Sequence, residues 1–314
     1  MSKYVFGVDV GGTTIKLGLF LENGELVEKF AIETNTADGS NRLLSDVAMA
    51  ITGKLADHNL TTVDLVGVGV GIPGPVDETG VVLIGVNLGW KNPVAVGDTL
   101  SELLGGVKVN VTNDANIAAV GEMGYGSAKG VQSAIMFTLG TGVGGGVIVD
   151  GKVINGHNGA GGEIGHLVAK PTGGVLCGCG KTGCLETLTS ATGIVRIANE
   201  LLSTTATPST LRDLETVAAK DVFDAAKAGD ALSLEIVDEV GLYLGIATAN
   251  LAGTTNPEMF IFGGGVSHAG EILLDAIRKH FVKFAFPSVK ETSFVLATLG
   301  NDAGIIGGAY LATQ

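Results

Sequence analysis

Cysteine is nearly missing from this chain of 314 residues: there are three, and all fall in one short stretch, at Cys177, Cys179 and Cys184. A disulfide would take two and strand the third, and the C-x-C pair is too close for an easy internal bridge, so no disulfide framework is expected. Basic residues are also few. Lys and Arg total 19 against 32 Asp and Glu, a formal net charge of −13, and no basic cluster stands out. That excludes a nucleic-acid binder of the usual electrostatic kind. Long apolar runs are absent as well. Glycines and charges break each one before the ~18–20 residues that a bilayer span needs, so no membrane contact is expected. The opening MSKYVFGVDVGG has no apolar signal-peptide core followed by a small-residue cleavage site. Clustered thiols without an export signal read as a cytoplasmic protein in a reducing compartment.

Glycine is what the chain has in excess, with 50 residues against an average share of about 7%. The glycines lie between apolar runs, and 46% of the chain is hydrophobic. That pattern suggests tight turns and close backbone approaches in a well-packed protein. The length suits two lobes.

The densest glycine stretch, 161–186, holds G-G-E-I-G-H and then C-G-C-G-K-T-G-C-L-E. Three thiols and an imidazole, His166, Cys177, Cys179 and Cys184, are enough to close a tetrahedral zinc site. Four protein ligands leave no open position, so the zinc would be structural. The spacing is not that of a zinc finger. His166 alone would more often be a hydrogen-bonded core histidine. Glu163 and Glu186 bracket the knot, and rigidly held carboxylates suit polyol recognition.

Along the chain, strands are expected at 3–10, 15–21 and 26–32, a helix at 41–55, and a doubly buried strand at 65–72. The first two strands flank D-V-G-G-T-T, in which Gly11, Gly12, Thr13 and Thr14 can approach a phosphate. A glycine pair is otherwise just a hairpin turn. Asp9 is placed to hold Mg²⁺ through water. N-L-G-W-K-N, 87–92, carries the only Trp; it either packs in the core or borders a sugar pocket. A strand at 107–112 runs into N-D-A-N and a helix at 115–124. Helix capping accounts for one polar residue there. Asn113, Asp114 and Asn116 together exceed what one cap requires, and Asp114 is a candidate base.

A strand at 132–139, the run T-L-G-T-G-V-G-G-G and a strand at 147–150 then repeat the pattern of the Asp9 region. Gly140, Thr141 and Gly142, with the glycines to 146, form a second candidate phosphate loop. Helices are expected from about 191, at 221–228, at 231–251 (long and amphipathic), at 271–284 and at 302–311. Strands are expected at 259–262 and 294–297. Gly264 and Gly265 end the former, where a flat base fits without side chains.

The run G-E-I-G-H…C-x-C-G-x-x-G-C-L-E resembles the signature of the ROK family of sugar kinases and repressors. The resemblance extends over essentially the whole chain. It implies an α/β fold of the two-lobed actin/hexokinase/Hsp70-like (ribonuclease H-like) class, with nucleotide between the lobes. The lobes would be 1–112 with the C-terminal helix 301–314, and 113–300. It implies that Asn113, Asp114, Glu163, His166 and Glu186 contact a sugar, with His166 using one ring nitrogen for zinc and the other for the sugar. N-L-G-W-K-N and C-L-E-T-L-T-S-A-T-G-I-V-R-I-A are most similar to the bacterial glucokinases of the family. They imply ATP-dependent phosphorylation of the glucose 6-hydroxyl, with Asp114 as general base and Mg²⁺ and structural zinc as cofactors. Relatives acting on fructose, N-acetylmannosamine or N-acetylglucosamine share the core motifs, and some relatives use polyphosphate. Family habit implies a homodimer. A sugar-sensing repressor would need an N-terminal helix-turn-helix, for which the early Asp9 loop leaves no room. A non-catalytic actin-like assembly protein would need neither the metal knot nor N-D-A-N.

Overall fold

The computed structural model describes residues 3–36 and 39–314; Met1, Ser2, Ala37 and Asp38 lie outside the described residues. By packing, the chain divides into two compact units. Met1–Val131, Gly146–Gly162 and Leu299–Gln314 form the first; Gln132–Gly145 and Glu163–Thr298 form the second. The boundary expected at residue 112 falls inside the first unit, and the C-terminal helix belongs to that unit.

The first unit opens with β1 (Tyr4–Val10), β2 (Thr14–Leu21) and β3 (Leu26–Glu33), followed by α1 (Leu43–Asp57) and β4 (Leu65–Ile72). The short strands β5 (Val81–Val82) and β6 (Val94–Ala95) precede α2 (Val96–Leu103), β7 (Val109–Asn113) and α3 (Asp114–Tyr125). The sheet order is β3-β2-β1-β4-β7. β1 is antiparallel to β2 and parallel to β4, and β4 is parallel to β7. One face packs on the α1 stripe Leu43, Val47, Ile51 and Leu55, in one core with Phe6, Val8, Leu17 and Val70. Each fully buried side chain of this size contributes roughly 1.5–3 kcal/mol.

β8 (Ala134–Leu139), β9 (Val143–Val149) and β10 (Lys152–Val153) follow, then α4 (Glu186–Thr189), α5 (Ala191–Thr204), α6 (Ala219–Lys227) and α7 (Ala231–Thr255). The chain ends with β11 (Met259–Gly263), α8 (Glu271–Phe284), β12 (Ser293–Leu296) and α9 (Ala303–Ala312). α9 covers the other face of the first sheet at the closest range the backbone allows. Gly7 and Gly69 lie side by side on β1 and β4, where any added methyl would fall on the α9 backbone at Ile305 and Gly308. The run A-G-I-I-G-G-A of α9 supplies the small residues that this contact needs.

The second five-stranded sheet has the order β10-β9-β8-β11-β12. It repeats the first sheet strand for strand: three strands joined by tight turns, then two parallel neighbours. Its core is phenylalanine. Phe137 of β8 stacks on Phe262 of β11 at 5.3 Å, and Phe281 of α8 meets Phe294 of β12 edge-on at 4.9 Å. α7 differs from the amphipathic expectation. Buried residues run round it, from Leu232 and Ser233 to Thr248 and Ala249, because α8, α6, α5 and α4 all pack against it. β9 also differs. It begins at Val143, so the glycines at 144–146 are strand and only Gly140–Gly142 remain a turn. The cause is packing: a methyl on Gly146 would sit 2.6 Å from the Ala119 β-carbon.

Candidate functional site

In the second unit the residues of 161–186 converge. His166, Cys177, Cys179 and Cys184 offer ligand atoms that all lie within 4.8 Å of one another. Cys177 Sγ is 3.6 Å from His166 Nδ1, and Cys179 Sγ is 3.5 Å from Cys184 Sγ. A tetrahedral site with Zn–S near 2.3 Å has edges of ~3.8 Å, so the donor set fits such an ion. The chain reaches this geometry through local backbone bonds. Cys177 N–H donates to the Lys181 carbonyl at 2.8 Å, and Lys181 Nζ donates to the His166 carbonyl at 2.9 Å. Burial pushes the Cys177 thiol up to about 12 and also raises Cys184, whereas the Lys181 amide lowers Cys179. Three thiolates here require a compensating cation, and a coordinated thiol is deprotonated outright.

The flanking carboxylates are tied to this knot. Glu163 Oε2 lies 3.7 Å from His166 Nε2, the ring nitrogen that faces away from the cysteines. Such a partner fixes ring orientation and tautomer. Glu186, at the start of α4, places Oε1 3.5 Å from Cys177 Sγ and accepts from Val143 N–H with Oε2 at 3.0 Å. Glu186 therefore joins the knot to the end of the Gly140–Thr141–Gly142 turn. A methyl on Gly142 would land on its carboxylate. Gly264 sits against the backbone of Leu139, just before that turn. Gly265 lines a cavity of about 350 Å³ with Ala191, Phe223, Lys220 and His268, a volume within the usual range for small ligands. Its α6 residues were not legible as site residues, since nothing local marks them.

In the first unit, Asp9 is the second-last residue of β1, before the turn Gly11–Gly12–Thr13, and Thr14 begins β2. Burial raises the Asp9 carboxyl above its ordinary value, partly offset by Lys16, whose Nζ is 3.9 Å away. Asn113 is the N-cap of α3: its Oδ1 accepts from Ala115 N–H at 2.9 Å and Asn116 N–H at 3.4 Å. Its Nδ2 donates to the Gly74 carbonyl at 3.2 Å. Asp114 is the first helical residue, and its Oδ1 accepts from Ala115 N–H at 2.9 Å. Asn116 is buried, donates to Asn155 Oδ1 at 3.3 Å, and its own Oδ1 has no partner among the described residues. An orphaned buried acceptor is expensive and points to a polar ligand or water. Asn155 escaped the sequence reading, although its N-G-H-N-G setting is a turn signal. Trp90 is 7% exposed and belongs to the core of the first unit, so of its two readings packing is the one observed.

Two sheets of one topology, each with a glycine turn after its first strand, define the actin/hexokinase-like fold class. The chain belongs to the ROK family, whose model matches residues 5–314. A glucokinase of Halalkalibacterium halodurans is 46% identical over 99% of this chain and 96% of its own. A glucokinase of Thermotoga maritima is 38% identical over 99% of this chain and 97% of its own. Among solved structures, a ROK family glucokinase from Streptomyces griseus in complex with glucose and AMPPNP is similar at a TM-score of 0.76. It has 34% identity, and the match covers 98% of each chain. No helix among the described residues is long and apolar enough to cross a membrane.

Proposed function

We propose that this chain is a hexokinase-type sugar kinase that transfers the terminal phosphoryl group of ATP to the 6-hydroxyl of glucose. Asp114 is the general base. A sugar hydroxyl is a poor nucleophile at neutral pH, and its proton must leave during transfer. The observation that carries this reading is the division of labour at residues 113 and 114. Asn113 already caps α3, so a carboxylate at the next position is not required for the helix to begin. Asn113, Glu163, His166 and Glu186 hold the sugar hydroxyls. The turns at Gly11–Thr14 and Gly140–Gly142 offer amides to phosphate. Gly264 and Gly265 border the adenosine. Mg²⁺, held through water by Asp9, would supply charge neutralisation at the phosphates. Zinc on His166, Cys177, Cys179 and Cys184 would be structural, and its task is to keep Glu163, His166 and Glu186 in place. A cytoplasmic homodimer completes the reading.

A coupled assay of ADP production over glucose, fructose, mannose, N-acetylmannosamine and N-acetylglucosamine tests the substrate. Glucose should give the highest kcat/KM, and a different winner reassigns the sugar. Asp114→Asn tests the base. Its kcat should fall by ~10²–10⁴, the usual range for losing a general base. Glucose affinity should stay within about tenfold, since the other hydroxyl contacts remain. A near-normal kcat would make Asp114 a second helix-start residue and place the base elsewhere.

A further inference from the structure

In each of the two glycine turns, a threonine from outside the turn holds one of the turn's carbonyls. In the first unit, Thr34 lies just beyond β3. Its Oγ1 donates to the Gly11 carbonyl at 2.7 Å, and its N–H donates to the Thr13 carbonyl at 3.0 Å. In the second unit, Thr192 lies in the first turn of α5. Its Oγ1 donates to the Thr141 carbonyl at 2.9 Å, while Ala191 N–H donates to the Gly140 carbonyl at 2.8 Å. Ser190 Oγ, 3.0 Å from Thr192 Oγ1, also caps the helix through Gly193 N–H at 3.1 Å. The threonine is thus held by a fixed helix end.

In a trans peptide, the carbonyl of one residue and the N–H of the next point in opposite directions. A hydroxyl bonded to the Gly11 carbonyl therefore turns Gly12 N–H outward. A hydroxyl bonded to the Thr141 carbonyl does the same for Gly142 N–H. Neither amide has an acceptor among the described residues, and neither do those of Thr13 and Thr141. A bare carbonyl in such a turn would repel an anion, and the flipped peptide would withdraw a donor. We propose that Thr34 and Thr192 are positioning residues for the phosphates of the nucleotide. Each orients one glycine amide of its own turn, without touching the nucleotide itself. The inference rests on the reading that these turns receive phosphate.

The test uses the full chain labelled with ¹⁵N-glycine, and AMPPNP and adenosine as separate probes. In the wild type, AMPPNP should move the Gly12 and Gly142 amide resonances and adenosine should not. Thr34→Val and Thr192→Val keep the shape and delete the hydroxyl. Each should weaken AMPPNP binding about five- to tenfold, the worth of one neutral hydrogen bond, and raise the KM for ATP to match. Adenosine and glucose affinities should be unchanged, and Thr34→Ser and Thr192→Ser should restore AMPPNP binding. If the wild-type glycine amides ignore AMPPNP, the phosphate reading itself fails and takes this inference with it. If they respond but the Val variants bind AMPPNP normally, the turns receive phosphate and the threonines do not position them. Equal losses for AMPPNP, adenosine and glucose, with a lowered Tm, would mark the hydroxyls as fold supports only and overturn the proposal.

Discussion

The turn between β1 and β2 and the turn between β8 and β9 occupy the same place in two copies of one sheet topology, yet they are provisioned differently. The first carries its acid within the preceding strand: Asp9, two residues before Gly11. The corresponding position before Gly140 is Thr138, which is uncharged. The second turn receives its carboxylate from elsewhere in the chain, when Glu186 accepts from Val143 N–H at 3.0 Å. That carboxylate leans on the cysteine knot through Cys177. The two backbone frames share one topology, and each receives its charge by a separate route. One acid is half-buried, and its desolvation costs stability when it is ionised. The other rests against the cysteine–histidine cluster.

The largest break in this comparison should come from Asp9→Asn. If Asp9 organises the cation, kcat should fall on the order of 10²-fold, comparable to removing one electrostatic contact to a developing charge. Thr138→Val, at the matching position, should leave kcat within about twofold, the normal scatter of a neutral substitution. Steady-state kinetics on both variants decide it, and similar losses at the two positions would mean that the turns are chemically equivalent.

Metal removal separates the turns next. Chelation, or Cys179→Ser, should release about one zinc per chain if the four-ligand site is real. Glu186 should then loosen. Exchange of the Val143 amide with solvent should accelerate about tenfold or more, the equivalent of one charge-assisted hydrogen bond. The Gly11 amide, bonded to the Thr14 carbonyl at 3.0 Å, should exchange as before. Unchanged Val143 exchange in metal-free protein would cut the link between knot and turn.

Gly142→Ala and Gly12→Ala sharpen the contrast by sterics alone. At Gly12 an added methyl meets nothing within 4 Å, whereas at Gly142 it meets the Glu186 carboxylate. Gly142→Ala should lose about 1–3 kcal/mol in chemical denaturation, the ordinary range for overpacking, and should weaken sugar and nucleotide binding together. Gly12→Ala should unfold like the wild type. Equal stability of the two variants would show that Glu186 swings away at no cost.

How much of this was legible in the sequence depended on how local the cause was. β4 and α8 were readable to the residue, since burial on both faces of a strand and on one stripe of a helix leaves a periodic imprint. The cluster of His166, Cys177, Cys179 and Cys184 was readable because its members sit in one short segment. The start of β9 was not. Its glycines have no strand propensity and become strand only because Gly146 fits against Ala119. That Asn113 is the residue of N-D-A-N that caps α3 was not legible, since Asn and Asp cap helices about equally well. Thr34 and Thr192 act on carbonyls 23 and 51 residues away, and no local pattern encodes such a bond.

The smallest effect expected comes from Asp9→Asn again, this time in stability against pH. Burial raises the Asp9 carboxyl above its ordinary value of 3.8, and the Lys16 charge only partly offsets this. The folded protein therefore binds this proton more tightly than the unfolded chain does. By linkage, stability falls as pH rises through the window that begins at 3.8 and ends at the raised folded value. Above that window the wild type holds an ionised, poorly hydrated carboxylate, which Asn replaces with a neutral amide of the same shape. Asp9→Asn should thus melt above the wild type at pH 7, and the difference should shrink as pH is lowered through the raised folded value toward 3.8, below which both states of the wild type carry the proton. A Tm series for the two proteins across pH 4 to 8 measures it. An Asn variant that melts lower at pH 7 would mean that Lys16, 3.9 Å away, stabilises the carboxylate by more than burial costs it. In that case the first turn, like the second, rests on a charge partner.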